Sequence, residues 1–189
     1  LLNVKLMSIE MIKLKSIKNI ILTGSILVLS AFTISSSINW TISEGYEIKF
    51  SSSTGDPEGI FKTINGDIQF DENDLASSKC NFKVDVNSIN TGNGMKNKHA
   101  KSAKWFDAEK YPNIEFQSSN FSKTETGYSV TGTMKMHGVD KEMILPFTFA
   151  NNVFKSTFSV NRIEFKIGES MKKVSDDIKL EVSLPVTKK

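Results

Sequence analysis

The chain has 189 residues, 39% of them hydrophobic, a formal net charge of +3 and one cysteine. This length suits one domain with a substantial core. Because Cys80 has no second cysteine to pair with, an internal disulfide is excluded. Cys80 alternates with Phe82 on an apolar face, which predicts a small buried residue rather than a reactive thiol.

Residues 1–37 have the pattern of a secretory signal peptide. Four lysines come first, an uncharged apolar run of 15 residues follows at 20–34, and Ser35-Ser36-Ser37 comes next. The run is short for a helix that spans a bilayer, which needs about 20 apolar residues. We predict cleavage between residues 33 and 38, a mature domain over 38–189 and a periplasmic or secreted location. An uncleaved anchor is the alternative.

The positive charge of the chain belongs to this leader. Without residues 1–37, 20 basic and 20 acidic residues remain. A chain with no net positive charge gives no electrostatic reason to expect nucleic-acid binding. We also expect no stable membrane span after signal cleavage.

From residue 39 onward, apolar and polar residues alternate with a period of two, which predicts half-buried strands. The second of these strands is interrupted near Asn65-Gly66, by either a bulge or a tight turn. The predicted strands cover 39–50, 60–70, 78–88, 113–122, 128–136, 142–150, 153–165 and 178–186.

About eight strands with hairpin-length connections, and no repeated βαβ pattern, predict an all-β antiparallel sandwich or barrel. Closure removes exposed strand edges and therefore favours the barrel. The main departure from strand is a short helical insert around residues 94–106. It carries the adjacent aromatics Trp105 and Phe106 and one of the two histidines, His99. We interpret it as a cover over one end of the β structure.

The insert also carries a resemblance to a known family. Ser88-Ile89-x-Thr91-Gly92-Asn93, His99 and Trp105-Phe106-Asp107, followed by motifs within 111–116, 131–141 and 161–168, resemble the signature of the YceI-like family. The likeness extends from about Trp40 to the C-terminus. It implies a lipocalin-like barrel that holds a polyisoprenoid or similar amphiphilic lipid in its interior.

The inward faces of the predicted strands are rich in Phe and Met. Periodicity alone leaves two alternatives open: a solid core, or an elongated apolar cavity for a chain-like ligand. The resemblance implies the cavity. The candidate ligand-binding residues are Phe82, Val84, Trp105, Phe106, Phe116, Met134, Met136, Phe147, Phe149, Phe158, His99 and Arg162.

Two of these candidates are polar and have competing interpretations. His99 lies among lysines, so it either meets a polar head group or has a purely structural role. Arg162 shares parity with Phe158 and Val160 and is expected to point inward. A buried Arg needs an acceptor, so structural pairing is favoured over a head-group contact. His137, before Gly138, is expected to be a turn residue.

These observations predict an exported protein that binds a long-chain amphiphilic lipid for sequestration, storage or transport. One alternative is a filled-core structural or stress-response module without a ligand. Another, ranked below it, is an enzyme that acts on a bound lipid with His99 as a base. We expect no catalytic residues, since nucleophile, phosphate-loop and dinucleotide motifs are missing. No cofactor is expected, two histidines make a weak case for a metal site, and a homodimer is left open.

Overall fold

A computed structural model describes residues 38–171 and 174–189 of the chain. The predicted signal peptide lies outside these residues. Within them the chain forms eleven strands and one α-helix. The strands are β1 (Asn39–Ile42), β2 (Glu47–Ser52), β3 (Glu58–Phe61), β4 (Ile64–Gln69), β5 (Lys79–Asp85), β6 (Ile89–Asn90), β7 (Asn113–Thr124), β8 (Gly127–Met136), β9 (Val139–Ala150), β10 (Val153–Asn161) and β11 (Asp177–Lys188), and the helix is α1 (Gly94–Lys101).

Eight of the strands close into a ring. They pair in the order β1-β4-β5-β7-β8-β9-β10-β11, and β11 also pairs with β1. Every pairing is antiparallel. The predicted all-β antiparallel barrel of about eight strands is therefore confirmed. Because the ring and both clusters of buried apolar residues lie within 38–189, this part of the chain has a complete core of its own.

The first predicted strand, 39–50, is divided into β1 and β2, so its predicted continuity is wrong. The second, 60–70, is divided between Phe61 and Ile64 rather than near Asn65-Gly66. The third, 78–88, ends at Asp85, before its predicted end, and β6 follows after a turn. A turn with Gly45 at φ 85° separates β1 from β2. Ser88 Oγ accepts the backbone N–H groups of Lys62 and Thr63, both at 3.1 Å, between β3 and β4. A 3₁₀ turn, Val86–Ser88, separates β5 from β6. As a result, β2, β3 and β6 extend the sheet beside β11.

Asn65-Gly66 does not interrupt the second strand. These residues pair with Lys83 and Phe82 in the regular ladder between β4 and β5. A Cβ atom on Gly66 would lie 2.2 Å from the backbone oxygen of Asn81. The glycine therefore permits close approach of two backbones, a common reason for Gly within a strand. The predicted bulge or turn at this point is wrong.

A β-bulge in β7 changes which side chains point inward. The register between β7 and β8 shifts between Ser118 and Asn120. Before the bulge Phe116 is buried, and after it Phe121 is buried, although the two differ in parity. Without the extra residue, one of the two rings would face solvent.

The ring has a long unpaired stretch between β9 and β10. Their ladder has three residue pairs, all next to the hairpin, from Val153↔Ala150 to Lys155↔Thr148. The next residue of β9 whose backbone N would face β10 is Pro146. Proline has no N–H to donate, so the ladder ends there. Ser156 Oγ donates to the carbonyl oxygen of Pro146 instead. We call the unpaired stretch between β9 and β10 the seam.

A 3₁₀ turn, Arg162–Phe165, lies against the outer part of the seam. Glu164 forms an ion pair with Lys141 of β9. The carbonyl oxygen of Phe165 lies 3.2 Å from Nδ1 of His137, in the turn between β8 and β9. His137 has φ 52°, so its prediction as a turn residue is confirmed.

The end of the barrel near the β9–β10 hairpin is filled with aromatic rings. Phe70 is 1% exposed at the centre of this cluster. Trp40 Nε1 donates to the carbonyl oxygen of Phe70 at 2.9 Å. Rings surround Phe70 at centroid distances of 5.3–6.0 Å, mostly edge to face: Phe121, Tyr128, Phe147, Phe149 and Phe154. We call this region the closed end, because edge-to-face packing of so many rings leaves little free space.

Candidate ligand-binding cavity

The barrel encloses a cavity of about 530 Å³. It begins at the closed end, where Phe121 and Phe154 contribute to its wall. At the opposite end, which we call the mouth, it is lined by Asp56, Lys96, His99 and Met171. Pockets that hold small ligands have volumes of about 300–1,000 Å³. The cavity is therefore large enough for one such molecule.

The wall of the cavity comes from the inward face of the strands. On β11, Ile178, Leu180 and Val182 alternate with outward residues and all line the cavity. These three are only partly buried, whereas Leu184 on the same face is 4% exposed. All four line the cavity, but Leu184 also packs in a buried apolar cluster. The alternation that forms the strand thus also forms an apolar wall.

Eleven of the twelve candidate residues from the sequence line this cavity. They come from the strands, the insert after β6 and the turn after β10: Phe82, Val84, Trp105, Phe106, Phe116, Met134, Met136, Phe147, Phe158, His99 and Arg162. Phe149 does not line it, so its expected place on the wall is wrong. Its ring packs in the closed end, 4.4 Å from that of Phe154 and 5.1 Å from that of Trp40.

One part of the wall, formed by the extension beside β11, was not predicted from the sequence. Its residues are Ile48 and Phe50 of β2, Phe61 of β3, Ile89 of β6, and Ile178, Leu180, Val182 and Leu184 of β11. The alternation along β11 was visible in the sequence. The pairing of β2 with the mouth end of β11, and of β3 with β2, was not visible. The break between β3 and β4 depends on Ser88, which is distant in sequence from β3.

The helix α1 covers part of the mouth. Asn93 caps it, since its side chain accepts the backbone N–H groups of Met95 and Lys96 at 2.9 and 3.1 Å. Lys96 forms an ion pair with Asp56 across the mouth at 2.9 Å. The predicted helical insert around 94–106 is therefore present, but the helix ends at Lys101. Residues 102–106 form turns that place Trp105 and Phe106 on the cavity wall.

Trp105 brings together the two polar candidates of the mouth. Its ring meets that of His99 edge to face at 5.8 Å. The guanidinium of Arg162 lies over the Trp105 ring, 5.3 Å from the centroid. Among the described residues, Nε1 of Trp105 is the one buried side-chain N or O atom without a hydrogen-bond partner. An unpaired buried donor is unfavourable, so this atom calls for an explanation.

Arg162 is 5% exposed and holds the segment that follows it. Nη2 donates to Asp176 Oδ1 at 2.9 Å and to the carbonyl oxygen of Glu169 at 2.9 Å. Nε donates to the carbonyl oxygen of Ser175, and Nη1 to that of Ile167. Of the two interpretations of Arg162, the structure shows the pairing within the protein. The side chain reaches the cavity wall while its donors point into the 167–176 segment.

Cys80 lies on the cavity wall and is buried. Burial raises the pKa of its thiol to about 12, although a hydrogen bond with Ser118 lowers it slightly. The thiol therefore stays protonated at neutral pH, where only the thiolate would be a good nucleophile. The prediction of a small buried residue at this position is confirmed.

Within residues 38–171 and 174–189, no three His, Cys, Asp or Glu side chains are grouped as metal ligands. Across the same residues no helix has both the length and the apolar character needed to span a membrane.

A closed eight-stranded barrel with an apolar interior places the chain among the lipocalin-like proteins in fold. Its sequence matches the YceI-like domain over residues 33–186, and the chain belongs to the YceI-like family. A UPF0312 protein of Photorhabdus laumondii is 37% identical over 87 residues, which are 46% of this chain and 45% of that protein. One from Serratia proteamaculans is 27% identical over 136 residues, or 67% of this chain and 71% of that protein. The first match thus covers about half the length of the relative.

Solved structures show the same fold. The crystal structure of Burkholderia cenocepacia BcnA superposes with a TM-score of 0.72 at 25% sequence identity and covers 78% of this chain and 99% of that one. A polyisoprenoid binding domain from Saccharophagus degradans, implicated in plant cell wall breakdown, superposes with a TM-score of 0.60 at 13% identity. That match covers 81% of this chain and 99% of that domain.

Proposed function

We propose that this protein binds one long-chain amphiphilic lipid, such as a polyisoprenoid, inside its barrel and sequesters, stores or carries it. The observation that carries the proposal is the cavity of about 530 Å³, whose wall is built from inward-facing Phe, Met, Ile, Leu and Val side chains. Membership of the YceI-like family and the fold shared with a polyisoprenoid binding domain support it.

The energetics of such a cavity suit a hydrocarbon chain. Each methylene moved from water to an apolar environment contributes about 0.8 kcal/mol, so about ten methylenes contribute about 8 kcal/mol. Before the costs of association, this corresponds to a dissociation constant of about 1 μM. A lipid could therefore be held with few polar contacts, and burial alone would shield it from water.

Trp105 is the residue that we assign to the polar end of the ligand. Its buried indole N–H has no hydrogen-bond partner among the described residues, and its ring lines the cavity beside the mouth. An oxygen acceptor on the ligand would satisfy this donor after a small shift of the ring. We infer that the apolar tail points to the closed end and the oxygen-bearing end lies near Trp105.

The cavity also bears on the two alternatives, a filled-core module and an enzyme that acts on a bound lipid. A filled-core module would have its inward side chains packed against each other, yet Phe82, Phe158 and Leu180 are only partly buried on the inner face. The enzyme alternative needs His99 as a base. The ring of His99 is exposed and packs edge-on against Trp105, which gives it no group that would activate it. We therefore propose a binding protein rather than an enzyme.

Export is part of the proposal. The order of lysines, apolar run and small residues over 1–37 supports cleavage of a signal peptide and a periplasmic or secreted location. A protein that shields a hydrocarbon chain from water is useful where a lipid must cross an aqueous space. Peptide sequencing of the N-terminus after secretion would test this part: a mature chain that starts between residues 34 and 38 supports it, and an intact leader contradicts it.

Filling the cavity tests the binding proposal. Val84 lies partly buried on the wall of the cavity, whereas Asn81 on the same strand is exposed on the outer face. In Val84→Phe the larger ring should occupy the space of about two methylene groups of the ligand. Uptake of a fluorescent long-chain lipid should therefore fall by about tenfold or more. Asn81→Phe should leave uptake unchanged. Equal uptake by both folded variants would show that the lipid binds elsewhere.

A further inference from the structure

The helix α1 has two different faces at the mouth. Lys96, His99 and Ala100 are spaced three and four residues apart and line the cavity. Met95, Lys98 and Lys101 are spaced three residues apart and lie on the opposite side of the helix. Met95 and Lys98 are exposed and Lys101 is partly exposed, so the second face is accessible from the surroundings. We call Met95, Lys98 and Lys101 the outer face of α1.

The outer face combines an exposed apolar tip with unneutralised positive charge. Met95 is 83% exposed. Within α1 there is no acidic residue, and its Lys96 is neutralised by Asp56. Among the described residues, Lys98 and Lys101 have no carboxylate within ion-pair distance.

The mouth has a second exposed methionine nearby. Three large apolar side chains are exposed in the part of the chain that the structure describes. One of them, Met171, lines the mouth, and another, Met95, lies on the helix that covers part of it. Lysines next to exposed apolar side chains fit the boundary of an anionic bilayer, where phosphates meet acyl chains. A nucleic acid would match the lysines but not the methionines.

We propose that the outer face of α1, together with Met171, docks the protein on an anionic lipid bilayer and brings the mouth against the membrane. This inference rests on the proposed function, since it names the place where the ligand would enter or leave. Two lysines and two methionines give a weak, reversible contact. A carrier needs such a contact, because it must release the membrane after each exchange.

The test is sedimentation with vesicles, using the fragment 38–189, which contains the complete barrel and lacks the apolar run at 20–34. One set of vesicles contains equal amounts of phosphatidylglycerol and phosphatidylcholine, and the other contains phosphatidylcholine alone. The test variant is Lys98→Gln with Lys101→Gln. The matched control is Lys79→Gln with Lys123→Gln, which removes the same charge from exposed positions on β5 and β7 near the closed end.

We expect the unsubstituted fragment to bind the anionic vesicles and to lose binding at high salt. Each lysine near an anionic surface accounts for about a fivefold change in partitioning, so the double substitution on α1 should weaken binding by tenfold or more. Met95→Ser should weaken it further, and the control pair should not. An equal loss in the control pair, equal binding to both vesicle types, or no binding would overturn the proposal.

A parallel measurement separates this inference from the proposed function. The lipid retained by each folded variant is extracted and quantified. All variants should retain it, because none of the substituted side chains lines the cavity. A fragment that docks on anionic vesicles but never carries a lipid would contradict the proposed function while supporting the docking surface.

Discussion

The guanidinium of Arg162 lies over the ring of Trp105, 5.3 Å from its centroid. This contact joins the insert after β6 to the segment after β10, which are distant in sequence. Gly168 completes the arrangement: a Cβ there would lie 3.1 Å from both Arg162 Nη1 and the Trp105 ring, and its φ is +66°. The backbone N–H of Gly168 donates to the carbonyl oxygen of Lys104 at 3.1 Å. Arg162 therefore holds the insert after β6 and the segment after β10 together as one unit.

Removing the charge of Arg162 should release this unit. Arg162→Met leaves the carboxylate of Asp176 and several carbonyl oxygens without their donor, and we expect the free energy of unfolding to fall by about 2–4 kcal/mol. Urea denaturation measures the loss, and hydrogen exchange should show faster opening of residues 167–176. The control is Lys141→Met, which breaks the partly exposed pair with Glu164 and should cost less than about 1 kcal/mol. Equal losses in the two variants would contradict the role of Arg162.

From the indole N–H of Trp105, which has no partner among the described residues, we predict a ligand selectivity. Trp105→Phe keeps an aromatic ring on the wall but removes the donor. Affinity for a long-chain alcohol or amide should fall about fivefold, the value of one hydrogen bond. Affinity for an alkane of the same length should stay within twofold. Fluorescent-probe displacement measures both, and Phe106→Leu serves as the control that weakens the two ligands equally. If Trp105→Phe lost as much affinity for the alkane as for the alcohol or amide, the N–H would not contact the ligand.

The hydrogen bond from Ser156 to Pro146 bridges the seam, where the ladder between β9 and β10 has ended. Ser156→Ala should lower the free energy of unfolding by about 1 kcal/mol and increase hydrogen exchange along β9. Ser159→Ala is the matched control, because Ser159 lies on the same strand with its side chain exposed. We expect no measurable change from it. If both variants behave alike in denaturation and exchange, the seam is not held by Ser156.

From the buried thiol of Cys80 we predict how the free energy of unfolding depends on pH. Its pKa is raised from 9.0 to about 12, mainly by burial. The folded state thus binds the proton more tightly than the unfolded state. The resulting stabilisation is complete below about pH 9 and is lost as the pH rises towards 12, by at most about 1.4 kcal/mol per pH unit. Wild-type stability should therefore fall more steeply than that of Cys80→Ala over this window. Parallel curves would show that the thiol titrates normally in the folded protein.

The sequence predicted the barrel because alternation extends along nearly every strand. The inward positions of Phe82, Val84 and Met134 follow directly from that period of two. Phe121 was harder to place, because only the bulge between Ser118 and Asn120 brings it to the same face as Phe116. Insertion of one residue in a strand has no distinct signal when the residues are Ser and Asn.

The sequence could not predict which inward residues line free space and which fill the closed end. Phe147 and Phe149 lie two residues apart on β9 and point to the same side, yet only Phe147 lines the cavity. Phe149 packs against Trp40, which reaches it through the closure of the ring. Likewise, the inward direction of Arg162 follows from parity, but its acceptors lie in an irregular segment without a periodic signal.

Native mass spectrometry of the protein purified from a bacterial host tests the central claim most directly. The intact mass is compared before and after extraction with organic solvent, for the unsubstituted protein and for Val84→Phe. The account predicts a one-to-one adduct with the mass of a long-chain lipid, removable by solvent and reduced in Val84→Phe. Protein that carries no adduct, and that takes up none from a total lipid extract, would contradict the claim that the cavity holds a lipid.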